Sequence, residues 1–198
     1  MTEGLIGALA TVWAGYALGT LIPGPNVICV TTSALLGGRS QGVGAAAGVA
    51  IATLAWSLAG VMGLGALLDA RPDLVPVMEI AGGLALAGLG LSTLRDRAGV
   101  ARDDAGRGLL RGLLAALANP INAILWTALA TFVLRIEPTP AEIALYVASC
   151  GVLAFAIHGS LAVVVAGLPA RPSPRPGGTA RALCGGAFLF AGGMLVGG

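Results

Sequence analysis

Lysine is absent from this chain, histidine occurs once, cysteine three times, and charged residues of every kind make up only 10% of it. So little charge excludes several classes. A nucleic-acid surface needs a basic patch, whereas the 11 basic residues, all arginines, fall mostly in short loops and leave a net charge of only +2. Cys29, Cys150 and Cys184 lie inside apolar segments with no CxxC or other metal-type spacing, so they read as small packing residues rather than ligands. No metal, cofactor or nucleic acid is expected. Ahead of the first apolar run stand only Met1, Thr2 and Glu3, without the basic side chain of a signal-peptide n-region, so the first helix is expected to stay.

What is abundant is apolar: hydrophobic residues are 57% of the sequence and the mean hydropathy is +0.92. That balance belongs to a polytopic membrane protein. With helices of about 20 residues needed to cross a hydrocarbon core of about 30 Å, 198 residues allow roughly six crossings and no soluble domain. The expected architecture is all-α, a single membrane domain over residues 1–198. Apolar runs extend from about Leu5 to Leu36, Val43 to Leu68, Leu74 to Leu94, Leu109 to Leu134, Ile143 to Leu168 and Ala182 to Val196. Polar or Gly/Pro-rich stretches separate them, among them a loop at Gly37-Gly38-Arg39-Ser40 and the polar Arg95 to Arg107.

If crossings alternate, one side collects Arg39, then Arg95, Arg97, Arg102, Arg107 and Arg111, then Arg171, Arg175 and Arg181; the other holds only Arg71 and Arg135. The positive-inside rule puts the arginine-rich loops in the cytoplasm and both termini outside. The expected location is a membrane, with these loops facing the cytoplasm.

Glycine is the second excess, with 32 residues and pairs four apart at Gly15/Gly19, Gly44/Gly48 and Gly193/Gly197. Small residues so spaced let helix backbones approach closely in lipid. Packing within one bundle is the expected use, with a homodimer interface left open.

The first apolar run contains LIPGPNVICV, placing Pro23, Gly24, Pro25 and Asn26 mid-membrane. Prolines remove amide donors, so carbonyls near Ala17 to Leu21 lose partners where water cannot replace them. Beyond the break Pro25 suits the first position of a new helix, and the amides of Asn26, Val27 and Ile28 are expected to be unpaired, the start of an anion site. The fourth run repeats the device in ALANPINAILW: Asn119 as cap, Pro120 at the first position, Asn122 in the first turn. A single break is as well explained by a kink; two at corresponding places are not. Each half, about 1–95 and 107–198 joined by a cytoplasmic loop, holds three crossings, so the second enters inverted, a plan common among secondary transporters. Two positive helix ends then face one another near the midplane and favour a carboxylate, while freed carbonyls suit an ammonium. Pro23, Gly24, Pro25, Asn26, Val27, Asn119, Pro120 and Asn122 are the candidate substrate-binding residues, and the ligand is an amino acid or related zwitterion.

Pro23-Gly24-Pro25-Asn26, Gly38-Arg39-x-x-Gly42, Gly44-x-x-x-Gly48 and Asn119-Pro120, with the chain's size and six apolar segments, resemble the LysE/RhtB family of bacterial amino-acid exporters. The resemblance implies a carrier that expels amino acids or their analogues, driven by the proton gradient, and not an enzyme. The family's second motif commonly reads Asn-Pro-Lys; Ile121 stands in the third place, so no lysine role carries over.

Proton coupling needs a titrating group in the membrane. His158, in the fifth run, is the candidate, a packing histidine being the equal alternative. Glu79 is expected to snorkel or pair with Arg71. Trp126, one turn beyond Asn122, is expected to pack. Two further functions stay open: a thiol/disulfide electron conduit, which would need a cysteine after Pro120 to match Cys29 where Ile124 stands, and a metal-ion exporter, which would need ligand clusters.

The orientation is checked by single cysteines labelled with an impermeant maleimide. Ala101→Cys should react only from the cytoplasmic side and Ala70→Cys only from outside; the opposite pattern inverts the topology.

Overall fold

The computed structural model describes residues 3–95, 104–168 and 178–197. Arg97, Arg102, Arg171 and Arg175, which carry part of the orientation argument, lie outside these residues, as do the side chains of Arg181 and Cys184. The described residues are helical, with no strand among them. In chain order they form α1 (Glu3–Gly19), α2 (Pro25–Ala59) continuing through a π-helical segment (Gly60–Leu64) into α3 (Gly65–Ala70), α4 (Leu74–Arg95), α5 (Ala105–Leu117), α6 (Pro120–Leu134), α7 (Pro140–Ala166) and α8 (Gly178–Gly197).

α2 is not one rod. Gly38 has φ 83° and ψ −176°, a conformation reserved for glycine. A Cβ placed on Gly42 would lie 2.7 Å from that of Ala34, although eight residues of straight helix separate their ends by about 12 Å. The chain therefore reverses at Gly38, and residues 25–37 and 39–59 form a helical hairpin. The expected loop at Gly37 to Ser40 is a reversal built on a single residue.

The starts of the other helices follow from capping chemistry. Asp104 accepts from the Arg107 amide (3.1 Å), so α5 begins earlier than expected, and Arg107 and Arg111 sit on its first turns rather than in a loop. α7 opens with Thr139 and Glu142 in a reciprocal capping box and Pro140 at the first position. The Arg71 guanidinium binds Asp73 (2.9 Å) rather than Glu79, and holds the Asp73 carboxyl below its ordinary pKa.

Two apolar cores organise the bundle. In one, Leu5, Leu9, Val12 and Tyr16 of α1 pack against α6 and α7 through Trp126, Leu129, Val133, Tyr146, Cys150 and Ala154. In the other, Ala115 and Ala116 of α5 pack into the α2 hairpin against Val30, Ala34, Ala45 and Val49. Each half thus lends its first helix to the hairpin of the other. The two hairpins meet through antiparallel α2 and α7, with Gly42 beside Ala162 and Leu54 beside Gly151. α4 and α8 pack on one another at Gly90 and Gly185, and Leu86 and Phe188 tie that pair to the second core.

The crossing of α2 and α5 explains two glycine pairs. A Cβ on Gly44 or Gly48 would overlap the backbone of Ala105 or Leu109, and one on Gly108 or Gly112 would overlap that of Gln41 or Ala45. Gly44-x-x-x-Gly48 is consumed inside the chain. Gly15 likewise faces Leu129.

Outward surfaces are apolar on every helix pair, as Ile6, Leu18, Val77, Leu84, Val152 and Phe190 show. Lipid requires such a surface. Pro25–Ala70, Leu74–Arg95 and Pro140–Ala166 are each long and apolar enough to cross a bilayer, and the pair Ala105–Leu117 and Pro120–Leu134, bent by 68°, adds a fourth if it is one span. Pieces of a broken span are individually short, α1 having 17 residues and α6 15. For that reason the six expected crossings do not each appear as one long helix.

Gly112→Val should cost about 1–3 kcal/mol by forcing α2 and α5 apart, read as a lower melting temperature in detergent. Gly88→Ala, where no atom lies within 4 Å, should leave stability unchanged or raise it by up to about 1 kcal/mol; equal losses in both would deny the close crossing.

Candidate functional site

Both breaks are built as their prolines demand, but they end differently. At the first, the last turn of α1 closes on itself: the Thr20 amide donates to the Tyr16 carbonyl (3.0 Å), Leu21 to Leu18 (3.1 Å), and the Thr20 hydroxyl to Ala17 (2.7 Å). α2 then starts at Pro25 with Gly24 as a cap that offers no side chain. The Ile28 amide donates to the Gly24 carbonyl (3.0 Å), which corrects the expectation of three free donors. The amides of Asn26 and Val27 are the remaining first-turn donors.

At the second break the donors are spent. The Asn119 side chain accepts from the Ile121 amide (3.1 Å) and its carbonyl from the Asn122 amide (3.0 Å). The expectation of two open anion-binding helix ends is therefore corrected to one. The reason is the cap: asparagine supplies an oxygen where glycine has none.

Pro120 leaves one carbonyl orphaned, that of Ala116 four residues earlier. Two side chains answer it: Asn122 Nδ2 donates at 3.0 Å and Trp56 Nε1 at 3.1 Å. Trp56 comes from α2, so the first half satisfies the backbone of the second.

The breaks meet. Asn26 Nδ2 donates to Asn122 Oδ1 at 3.4 Å, a long bond between side chains that are 9% and 5% exposed. Asn26 Oδ1 is buried with no partner. Pro25, Asn119 and Pro120 are buried, Gly24 and Val27 half-buried, and Pro23 is exposed.

His158 joins this region through aromatic contacts. Its Nδ1 lies 2.9 Å from the Ala154 carbonyl, which can only accept, so Nδ1 carries the hydrogen. Tyr16, one turn before α1 ends, has its ring centroid 6.4 Å from His158 and 5.0 Å from Trp126. The sequence reading missed Tyr16, Thr53 and Trp56. Their only signal was a polar atom within an apolar run, which many packing residues share.

Cys29 and Cys150 are free, buried and in different cores, so they do not form the pair an electron conduit needs. An open groove between α2 and α7, lined by Ile51, Leu54, Leu58, Pro140, Ile143 and Val147, contains none of the break residues. Its apolar lining suits lipid tails.

Apolar helices long enough to cross a bilayer, interrupted by two polar breaks that touch inside the bundle, define an all-helical membrane protein. The family model described as LysE type translocator matches residues 17–196, and the chain belongs to that family of membrane transporters, which are not enzymes. Comparison with curated proteins and with solved structures returned no match.

Trp56→Phe and Asn122→Leu should each cost about 1 kcal/mol, because one donor to the Ala116 carbonyl survives, while the double variant should cost about 1–3 kcal/mol beyond their sum. Denaturation in mixed micelles checks this; additive losses would mean that the carbonyl has another partner.

Proposed function

We propose that the protein is a secondary active transporter that exports amino acids or their derivatives across the cytoplasmic membrane, driven by the proton gradient and working by alternating access. The observation that carries this reading is the buried Asn26–Asn122 contact between the two breaks, with Asn26 Oδ1 unsatisfied beside it. A transporter site needs polar groups that are committed weakly enough to exchange partners. A long amide–amide bond with a spare acceptor is such a set.

The substrate takes the place of that bond. Its carboxylate accepts from the Asn26 and Val27 amides at the positive end of α2, with the Asn122 side chain as a further donor. Its ammonium donates to a side-chain oxygen of the breaks and has two N–H groups left for other acceptors. The arrangement favours a zwitterion over a simple anion.

Six crossings in one domain accommodate this site: α1 with residues 25–37, residues 39–70, α4, the bent α5–α6 pair, α7 and α8. The halves, residues 1–95 and 107–198, are then inverted repeats with both termini outside. The exchange of α1 and α5 between hairpins supports that plan, since each half plays the same part in the other's core. Rocking of one hairpin against the other opens the breaks to each side in turn.

Efflux of labelled amino acids from cells tests the reading at matched membrane abundance. Asn26→Ala removes the side-chain oxygen that receives the ammonium, and Pro25→Ala restores an N–H at the break and so releases its fixed geometry; each should reduce export of the transported amino acid by about tenfold or more. Native-level export by both variants would place the substrate elsewhere.

A further inference from the structure

The core beside the breaks holds polar atoms short of partners: the indole nitrogen of Trp126 on α6 and Nε2 of His158 on α7 have none, and the hydroxyls of Tyr16 on α1 and Thr53 on α2 have only one another. All four residues are at most 2% exposed. Tyr16 is their common neighbour, within ring-contact range of Trp126 and His158, with the Thr53 hydroxyl facing its phenol. Buried polar atoms are almost always paired, and each unpaired one costs free energy. Drawn from four helices, these four gather around Tyr16 in one buried polar chamber of the core.

Its chemistry specifies an occupant. With Nδ1–H donated to the Ala154 carbonyl, the neutral imidazole of His158 keeps its lone pair on Nε2. Nε2 and the hydroxyl oxygens of Tyr16 and Thr53 are three acceptors, and the rings of Tyr16 and Trp126 add aromatic faces. An ammonium group brings three N–H donors and a positive charge that such faces attract. The chamber also adjoins the breaks: Tyr16 precedes Thr20 by one turn of α1, and Trp126 follows Asn122 by one turn of α6.

The titratable side chains of this core are Tyr16 from α1 and Tyr146, Cys150 and His158 from α7; Thr53 and Ala50 of α2 and Trp126 of α6 do not titrate. No carboxylate and no arginine is buried among the described residues. His158 is thus the one buried group whose ordinary titration range lies near neutrality.

Resting on the exporter reading of the breaks, we propose that this chamber holds the substrate's ammonium group and a proton in turn, with His158 Nε2 accepting one or the other. When the ammonium is bound, it donates to the Nε2 lone pair. When a proton arrives from outside, it takes that lone pair, and the imidazolium repels the ammonium across a low-dielectric space. Release of the proton to the cytoplasm restores the lone pair and the site. One proton enters for each amino acid expelled, and no covalent bond of the substrate changes.

The full chain in liposomes, probed with radiolabelled alanine, leucine, threonine, lysine and glutamate, allows two fluxes to be compared. One is exchange of labelled for unlabelled amino acid at equal pH, and the other is net flux driven by an imposed pH gradient. His158→Gln keeps an amide oxygen that can accept from the ammonium but cannot titrate; it should raise the half-saturating concentration in exchange by about tenfold and, at saturating substrate, lose about tenfold or more of the gradient-driven flux relative to exchange. Tyr16→Phe should raise the half-saturating concentration in exchange by about tenfold while keeping the pH response. Tryptophan emission of the native protein should titrate with pH and cease to do so in His158→Gln.

A gradient response in His158→Gln equal to that of the native chain would overturn the proposal. An equal loss of saturated exchange and of driven flux at matched abundance would also overturn it, because His158 would then serve the fold or the substrate alone. Asn26→Ala separates this result from the reading beneath it: native-level exchange in that variant removes the substrate from the breaks whatever His158 does.

Discussion

Inside a bilayer every backbone polar group must find a partner in the protein, and the rest of this structure depends on how the chain meets that demand at its prolines. Pro120 strips one carbonyl of its donor, and Asn122 and Trp56 replace it from two different helices. That replacement draws Asn122 into the interior and fixes the place where α2 from the first half crosses the second. The prolines of the first break are met within α1, by the Leu21 amide, which reaches the Leu18 carbonyl three residues back to close the last turn, and by the Thr20 hydroxyl. Because the first break is satisfied locally and the second by distant side chains, the two ends differ in chemistry despite their similar sequences. Only the first keeps donors to offer.

Close packing of small residues does what the hydrophobic effect does in water. Gly44 and Gly48 against Gly108 and Gly112 bring α2 and α5 into backbone contact, so that a helix of one half lies within the hairpin of the other. The mirrored exchange places α1 against α6 and α7, and it carries Tyr16 to Trp126 and His158. The packing scheme and the polar chamber are therefore one construction. Had α1 packed on its own half, His158 would have had no phenol beside it.

Much of this was legible in the order of the residues. Composition specified a membrane protein of helices, the proline–glycine and asparagine–proline sequences marked both breaks, and the Gly37-Gly38 pair marked a turn. These features are local: hydropathy, a missing N–H and a permitted φ belong to a residue and its near neighbours. Helix boundaries were less legible where a cap decides them, as at Asp104, because a capping bond depends on a side-chain rotamer as well as on residue type.

The sequence by itself determined that the chain lives in lipid, that its helices break twice, and which residues stand at the breaks. Tertiary structure alone decided that the breaks touch through Asn26 and Asn122, that Trp56 serves a carbonyl sixty residues away, and that Arg71 takes Asp73 instead of Glu79. It also gathered Tyr16, Thr53, Trp126 and His158 from four helices. The physical reason is distance along the chain: a residue's own dihedrals and neighbours set its local geometry, whereas its long-range partner is set by which small-residue faces fit together. That fit is a property of the assembled bundle.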